Sequence, residues 1–241
     1  LDRPTQHAEM GGAASKKFEE LPLGTVKTPL PKENCIDPTA GPLKETTTFT
    51  IKTAGTSITS SKVVVIEYKV GDAVLYTSTQ GDSVKGTFQS ALVDSKGKAI
   101  CWSKFEVGFG KFTTRVMKPK QTFKGQESKD TAMGDETTPV YNFVKMSAVQ
   151  GYKDKSTWSI YTAAEEGHDL YKATKVSNMK YLVVVETADG TTVVGKVKQG
   201  AGDTYIAEVA AGADPIAVIA LARALKGGDI SYGAVYGAGL V

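Results

Sequence analysis

From Ile216 to Leu225 the chain is apolar on every side of the helix it would form, with Arg223 as the single charge. Asp214 supplies a helix cap, Pro215 suits the first helical position, and Gly227 and Gly228 stop the run. A helix over 214–226 is therefore expected. Its longest apolar run would measure only about 15 Å, short of the roughly 20 residues that span a bilayer, so the chain is not expected to be integral to a membrane. A helix that is apolar all round and too short for lipid has to be buried in protein. The rest of the chain must build what surrounds it.

The residues available for that are β-formers. From residue 46 onward, short β-branched and aromatic runs alternate with turn residues. Lys62 to Tyr68 and Ala73 to Thr77 flank Gly71-Asp72; Thr87 to Val93 and Lys98 to Trp102 flank Asp94 to Gly97; Trp158 to Tyr161 and Leu170 to Thr174 flank Glu165 to Asp169; Tyr181 to Glu186 and Thr191 to Lys198 flank Asp189-Gly190. Glu106 to Met117 reads as one strand, Tyr141 to Val144 as another, and Tyr205 to Val209 closes the series. Strands at this spacing predict an antiparallel sandwich or barrel. The polar stretch Lys118 to Pro139 is too long for a turn and is expected to divide the strands into two sets. A strand, acid-to-glycine turn, strand unit recurs around Asp94 and Asp189, which fits either an internal duplication or hairpin chemistry alone.

Three consecutive pieces resemble a known family: Val184-Val185-Glu186-Thr187-Ala188-Asp189-Gly190-Thr191-Thr192-Val193-Val194-Gly195-Lys196-Val197, then Tyr205-Ile206-Ala207-Glu208-Val209, then Asp214-Pro215-Ile216-Ala217-Val218-Ile219-Ala220-Leu221-Ala222. The order of strand, acidic turn, Gly-Lys-bearing strand, short strand and Asp-Pro-initiated helix is similar to the tubby C-terminal, LURP-one and phospholipid scramblase group, nearest to LURP-one. The resemblance implies an all-β fold with one buried helix, a closed antiparallel barrel around a hydrophobic C-terminal helix, over roughly residues 46–228. It also permits phosphoinositide binding, which tubby-like proteins perform. The acidic calcium-type segment and cysteine cluster of scramblases are absent, so lipid scrambling is not implied, and no functional residue carries over.

The two ends differ from the middle. Residues 1–45 hold six of the nine prolines and no sustained period, which predicts an extended arm. Ordering such an arm costs about 1–2 kcal/mol per residue, so an ordered arm must lie on its own barrel or on a partner. Residues 229–241 form a Gly/Tyr tail in which Tyr232 and Tyr236 sit among small residues, a composition that suits docking on a partner or folding back over the barrel. The chain starts at Leu1, which leaves a removed leader and a truncated chain both open. Its compartment is not assigned beyond soluble or peripheral.

Among candidate chemistries, the basic stretch is the most specific. Lys104, Lys111, Arg115, Lys118, Lys120 and Lys124 are interleaved with phenylalanines and face one Glu106. That mixture suits an anionic lipid surface, at about 1 kcal/mol per basic residue, or phosphates with stacked bases. An alternating strand with cations outward gives the same pattern without a ligand. A net charge of +3 on 241 residues disfavours nucleic acid as the partner. His168 lies beside Glu165, Glu166 and Asp169, but an acid- and glycine-rich turn accounts for it, and no nucleophile, phosphate-loop or zinc motif accompanies it. Cys35 and Cys101 make no metal pattern and are either free or joined by one long loop. No catalytic residue, metal or cofactor is expected. The expected role is a non-enzymatic binding or scaffolding subunit of a larger protein assembly, held by its arm and tail; the alternative is a peripheral protein that binds anionic lipid or phosphoinositide.

Overall fold

The computed structural model describes residues 16–32, 35–56, 64–80, 88–108, 111–117, 139–146, 157–161, 169–177, 182–202 and 204–223. From residue 102 to residue 161 the description extends to the backbone. Twelve strands follow one another: β1 Thr47–Thr56, β2 Val64–Val70, β3 Ala73–Gln80, β4 Phe88–Asp94, β5 Ala99–Gly108, β6 Lys111–Met117, β7 Pro139–Met146, β8 Thr157–Tyr161, β9 Asp169–Ser177, β10 Leu182–Thr187, β11 Val193–Gln199 and β12 Thr204–Val209. Two helices are described, α1 over residues 16–20 and α2 over residues 215–223. The protein is mostly β, and every strand pair is antiparallel.

Each strand bonds to its neighbour in sequence, and β1 bonds to β2 on one side and to β12 on the other, so the pairing returns on itself as a closed barrel. An even strand number lets an up-and-down series close with no parallel pair. About eight strands already enclose a space that their own side chains fill. Twelve enclose more, and α2 occupies it. Its residues from Ile216 to Ala222 are all buried and pack with the inward residues of the strands.

The inward row follows the two-residue period along each strand and the register between strands. Ala207 faces Phe49, Tyr205 faces Ile51, Ile51 faces Tyr68, and Tyr68 faces Tyr76, and all are buried. The row continues through Ser78, Leu92 and Cys101 on β3, β4 and β5. On β11 it meets Gly195. A Cβ there would stand 3.0 and 3.1 Å from the two methyls of Val218 and 3.4 Å from Val185 Cβ, so the glycine makes the groove in which α2 lies.

Several expectations change. The predicted strand Glu106 to Met117 is two strands: β5 ends at Gly108 and β6 begins at Lys111, paired through Gly108↔Lys111. The apolar alternation of Phe105, Val107 and Phe109 changes phase at Phe112, with Gly108 and Gly110 between, and that phase change is the local sign of the break. The stretch 118–138 does not separate two sets of strands, because β6 and β7 on either side of it are direct neighbours. β1 has no counterpart among the expected strands. Its sequence is rich in Thr, and only Phe49 and Ile51 mark its inward face. The turns at Gly71, Gly97 and Gly190 fall as expected, each with positive φ. The helix is described to residue 223, and residues 224–226 of the expected span lie outside the described residues.

The described part of the N-terminal arm lies on its own barrel. Phe18 of α1 is 2% exposed and forms a second apolar cluster with Leu182 and Val184 on the outer face of β10. Lys196 beneath it pairs with Glu208 at 3.0 Å and lies 5.6 Å from the Phe18 ring centroid, and Lys198 pairs with Glu19 at 2.6 Å. Further along, Gly24 N–H donates to Val193 O, Val26 N–H to Ala211 O and Leu43 N–H to Ala213 O, while Gly212 N–H donates back to Leu43 O. The arm thus crosses the turn that leads into α2. These bonds and the burial of Phe18, Cys35 and Ile36 are what offset the entropy of ordering it.

Candidate functional site

Two places are candidate sites: the interior around α2 and the basic strand pair. Asp214 opens α2 and is fully buried. Its Oδ1 accepts the Ile216 N–H at 2.9 Å, and its Oδ2 accepts the Ile36 N–H of the arm at 2.8 Å. One carboxylate therefore caps the helix and pins the strap across the barrel end. The negative charge sits at the positive end of the helix dipole, as the macrodipole favours.

Two phenols and a thiol in the interior feel this charge and keep their protons. Burial, with the charges of Asp37 and Asp214 adding to it, pushes the Tyr76 phenol up to about 12. Burial also raises Tyr171, against the opposing pull of a hydrogen bond from the Asp214 backbone. Cys101 is free and buried, and desolvation followed by the Asp214 charge raises its thiol well above the usual range. Cys35 is buried as well, and its thiol donates to Pro31 O. A thiol kept protonated is a poor nucleophile. Neither cysteine is bridged.

At the other end of the helix Arg223 is 9% exposed. Its Nη1 donates to Ser78 Oγ at 2.6 Å, and Ser78 Oγ is 3.1 Å from the Tyr68 hydroxyl. These groups, with Leu92, Cys101, Ile219 and Ala220, line a cavity of about 10 Å³, room for one water-sized particle. The sequence marks this spot only through Arg223, the lone charge in an apolar helix. Ser78 and Tyr68 carry no local signal, because they reach Arg223 through strand register alone.

The basic residues separate into two groups. Lys104 on β5 and Arg115 on β6 are register partners, and Lys111 begins β6 opposite Gly108. The fold-back at the corner thus brings Lys104 and Arg115, eleven positions apart in sequence, onto neighbouring strands. Lys118, Lys120 and Lys124 lie outside the described residues, as do Tyr232, Tyr236 and His168. Among the described residues no group of three or more His, Cys, Asp or Glu is placed to hold a metal. Among them also, no helix is long and apolar enough to cross a membrane.

No family model and no curated protein matches the chain. An X-ray structure of a protein from Arabidopsis thaliana is similar at 12% identity with a TM-score of 0.48, covering 86% of this chain and 99% of the other. That likeness is too distant to carry fold or function over.

Proposed function

We propose that the chain is a LURP-one-like barrel closed around α2 and acts as a non-enzymatic binding or scaffolding subunit of a larger protein assembly. The observation that carries this reading is the helix seated in the interior. Among the described residues α2 packs against the inward strand residues, the cavity beside Arg223, of about 10 Å³, admits nothing larger than a water-sized particle, and the thiol facing it is held protonated. Binding then belongs to the outside of the molecule. Residues 16–43 are engaged with their own barrel, so attachment falls to residues 1–15 and to the tail with Tyr232 and Tyr236. Native mass in gentle lysate tests this, comparing the full chain with forms lacking 1–15 or 229–241. A large assembly that shrinks on either trimming supports the reading; a monomer throughout removes it. Trimming beyond residue 15 is unsuitable, because it takes away Phe18 and the Ile36 anchor on Asp214.

A second reading has its own observation in the pairing of Lys104 with Arg115. Two cations at register positions on adjacent strands, with Lys111 at the start of β6, suit the phosphates of an anionic lipid surface. Sedimentation with vesicles containing phosphatidylserine or a phosphoinositide, repeated at rising salt, tests it. Salt-sensitive binding lost in the Lys111→Glu, Arg115→Glu double variant supports the lipid reading, and equal recovery with neutral vesicles rejects it.

A further inference from the structure

We propose that the barrel interior beside Arg223 is a binding site for one small monovalent anion of chloride type. The reasoning starts from a count of hydrogen-bond donors. A guanidinium has five N–H donors and accepts nothing. Arg223 is nine-tenths buried, and its partner among the described residues is the single Ser78 hydroxyl. No carboxylate among the described residues forms an ion pair with it. A buried charge without a counter-charge is costly and is normally paired.

Ser78 and Tyr68 add to the excess of donors. The two hydroxyls share one hydrogen bond, whose direction either could supply. If Tyr68 donates, the Ser78 proton is left over; if Ser78 donates, the Tyr68 proton is left over. One O–H therefore remains to be satisfied in either case, alongside the unused N–H groups of Arg223, and both residues line the same cavity. The remaining lining side chains are Leu92, Ile219 and Ala220, which accept nothing, and the thiol of Cys101. What the cavity lacks is an acceptor with negative charge. Its volume of about 10 Å³ limits that acceptor to a single atom or so, which selects a halide over carboxylate, phosphate or sulfate.

Asp214 at the far end of α2 does not meet this need. Nine residues along the helix set its backbone about 13 Å from that of Arg223, and both its oxygens are already engaged. Its charge and that of Asp37 bear on Cys101 and oppose an anion there, so the site is centred on the guanidinium and the Ser78 and Tyr68 hydroxyls, not on the thiol.

The test is thermal unfolding of the full chain in sodium chloride or bromide against sodium gluconate at equal ionic strength. The expected result is a midpoint that climbs with halide and not with gluconate, by roughly 3–5 °C for each tenfold rise above the dissociation constant. Arg223→Met abolishes this halide dependence, and Arg223→Lys weakens it. Crystals soaked in bromide provide a readout that needs no variant: an anomalous peak against Arg223 supports the site. Equal midpoints in halide and gluconate, an undiminished halide effect in Arg223→Met, or bromide-soaked crystals with no peak at Arg223 would each overturn the proposal and leave the cavity to water.

Discussion

The two ends of α2 carry one formal charge each, with signs that match the helix dipole, yet the barrel treats them differently. Asp214 is enclosed by bonds to both carboxylate oxygens and by the strap above it. Among the described residues Arg223 has one hydroxyl and a water-sized space. The first arrangement is structural, because one bond caps the helix two residues on and the other ties it to the arm 178 residues away. The second leaves donor capacity unused, which is the mark of a place that takes something up. Charge burial alone does not distinguish a structural group from a receptive one; the tally of satisfied atoms does.

Substitution at the two ends gives the sharpest way to break this comparison. Asp214→Ala removes the cap and orphans the Ile36 N–H together, and is expected to cost about 3 kcal/mol in urea unfolding, with Asp214→Asn recovering part of it. A loss below about 1 kcal/mol would make the two ends alike. Between them, Gly195→Ala places a methyl against Val218 at 3.0 Å and is expected to cost about 1–3 kcal/mol, which measures how firmly the middle of α2 is seated. Arg223→Met in halide-free buffer is expected to lie within about 1 kcal/mol of the parent, because an apolar side chain replaces a poorly compensated charge and Ser78 keeps Tyr68 as its partner.

Alkaline titration sharpens the same contrast. Tyr76, near Asp37 and Asp214, is held up to about 12 against an ordinary value of 10.0. A raised folded value means that its contribution to stability is complete below pH 10, where the unfolded chain also keeps its proton. That contribution is lost as pH rises from 10 through about 12. Absorbance titration at 295 nm is expected to show Tyr76 and Tyr171 ionising late or only with unfolding, and Asp214→Asn is expected to bring Tyr76 down. The smallest expected effect is at Asp189, far from α2. Its carboxylate accepts from the Thr187 hydroxyl and from the Thr191 N–H and hydroxyl, which hold it near 2. That contribution is present above the ordinary value of 3.8 and fades as pH falls through about 2, and carboxyl chemical shifts across that range check it.

Much of the fold is legible in the sequence, for a local reason. Turn chemistry at Gly71, Gly97 and Gly190 and the apolar circumference of α2 are properties of neighbouring residues. The continuous apolar run of β10 is informative in retrospect, since Val183 and Val185 face α2 while Leu182 and Val184 face Phe18. A strand apolar on both faces calls for a second cover, and the arm supplies it. What escaped is relational. The corner between β5 and β6 is marked only by a change of phase, from Phe105, Val107 and Phe109 to Phe112, and the pairing of Lys104 with Arg115 follows only from that corner. The grouping of Ser78, Tyr68 and Arg223 depends on registers across β2, β3 and a helix some 145 residues away from Ser78.

The pairing of the first strand with the last also sets a timetable. β1 is complete at Thr56, and its second partner begins only at Thr204. At ordinary rates of synthesis that interval is on the order of ten seconds. During it one flank of β1 has no mate, the strap has no Asp214 to grip, and the inward row of eleven strands has no helix to cover. The nascent chain therefore waits with its oily face open until its last described segment arrives, and a cell that makes this protein has to shield it for that long.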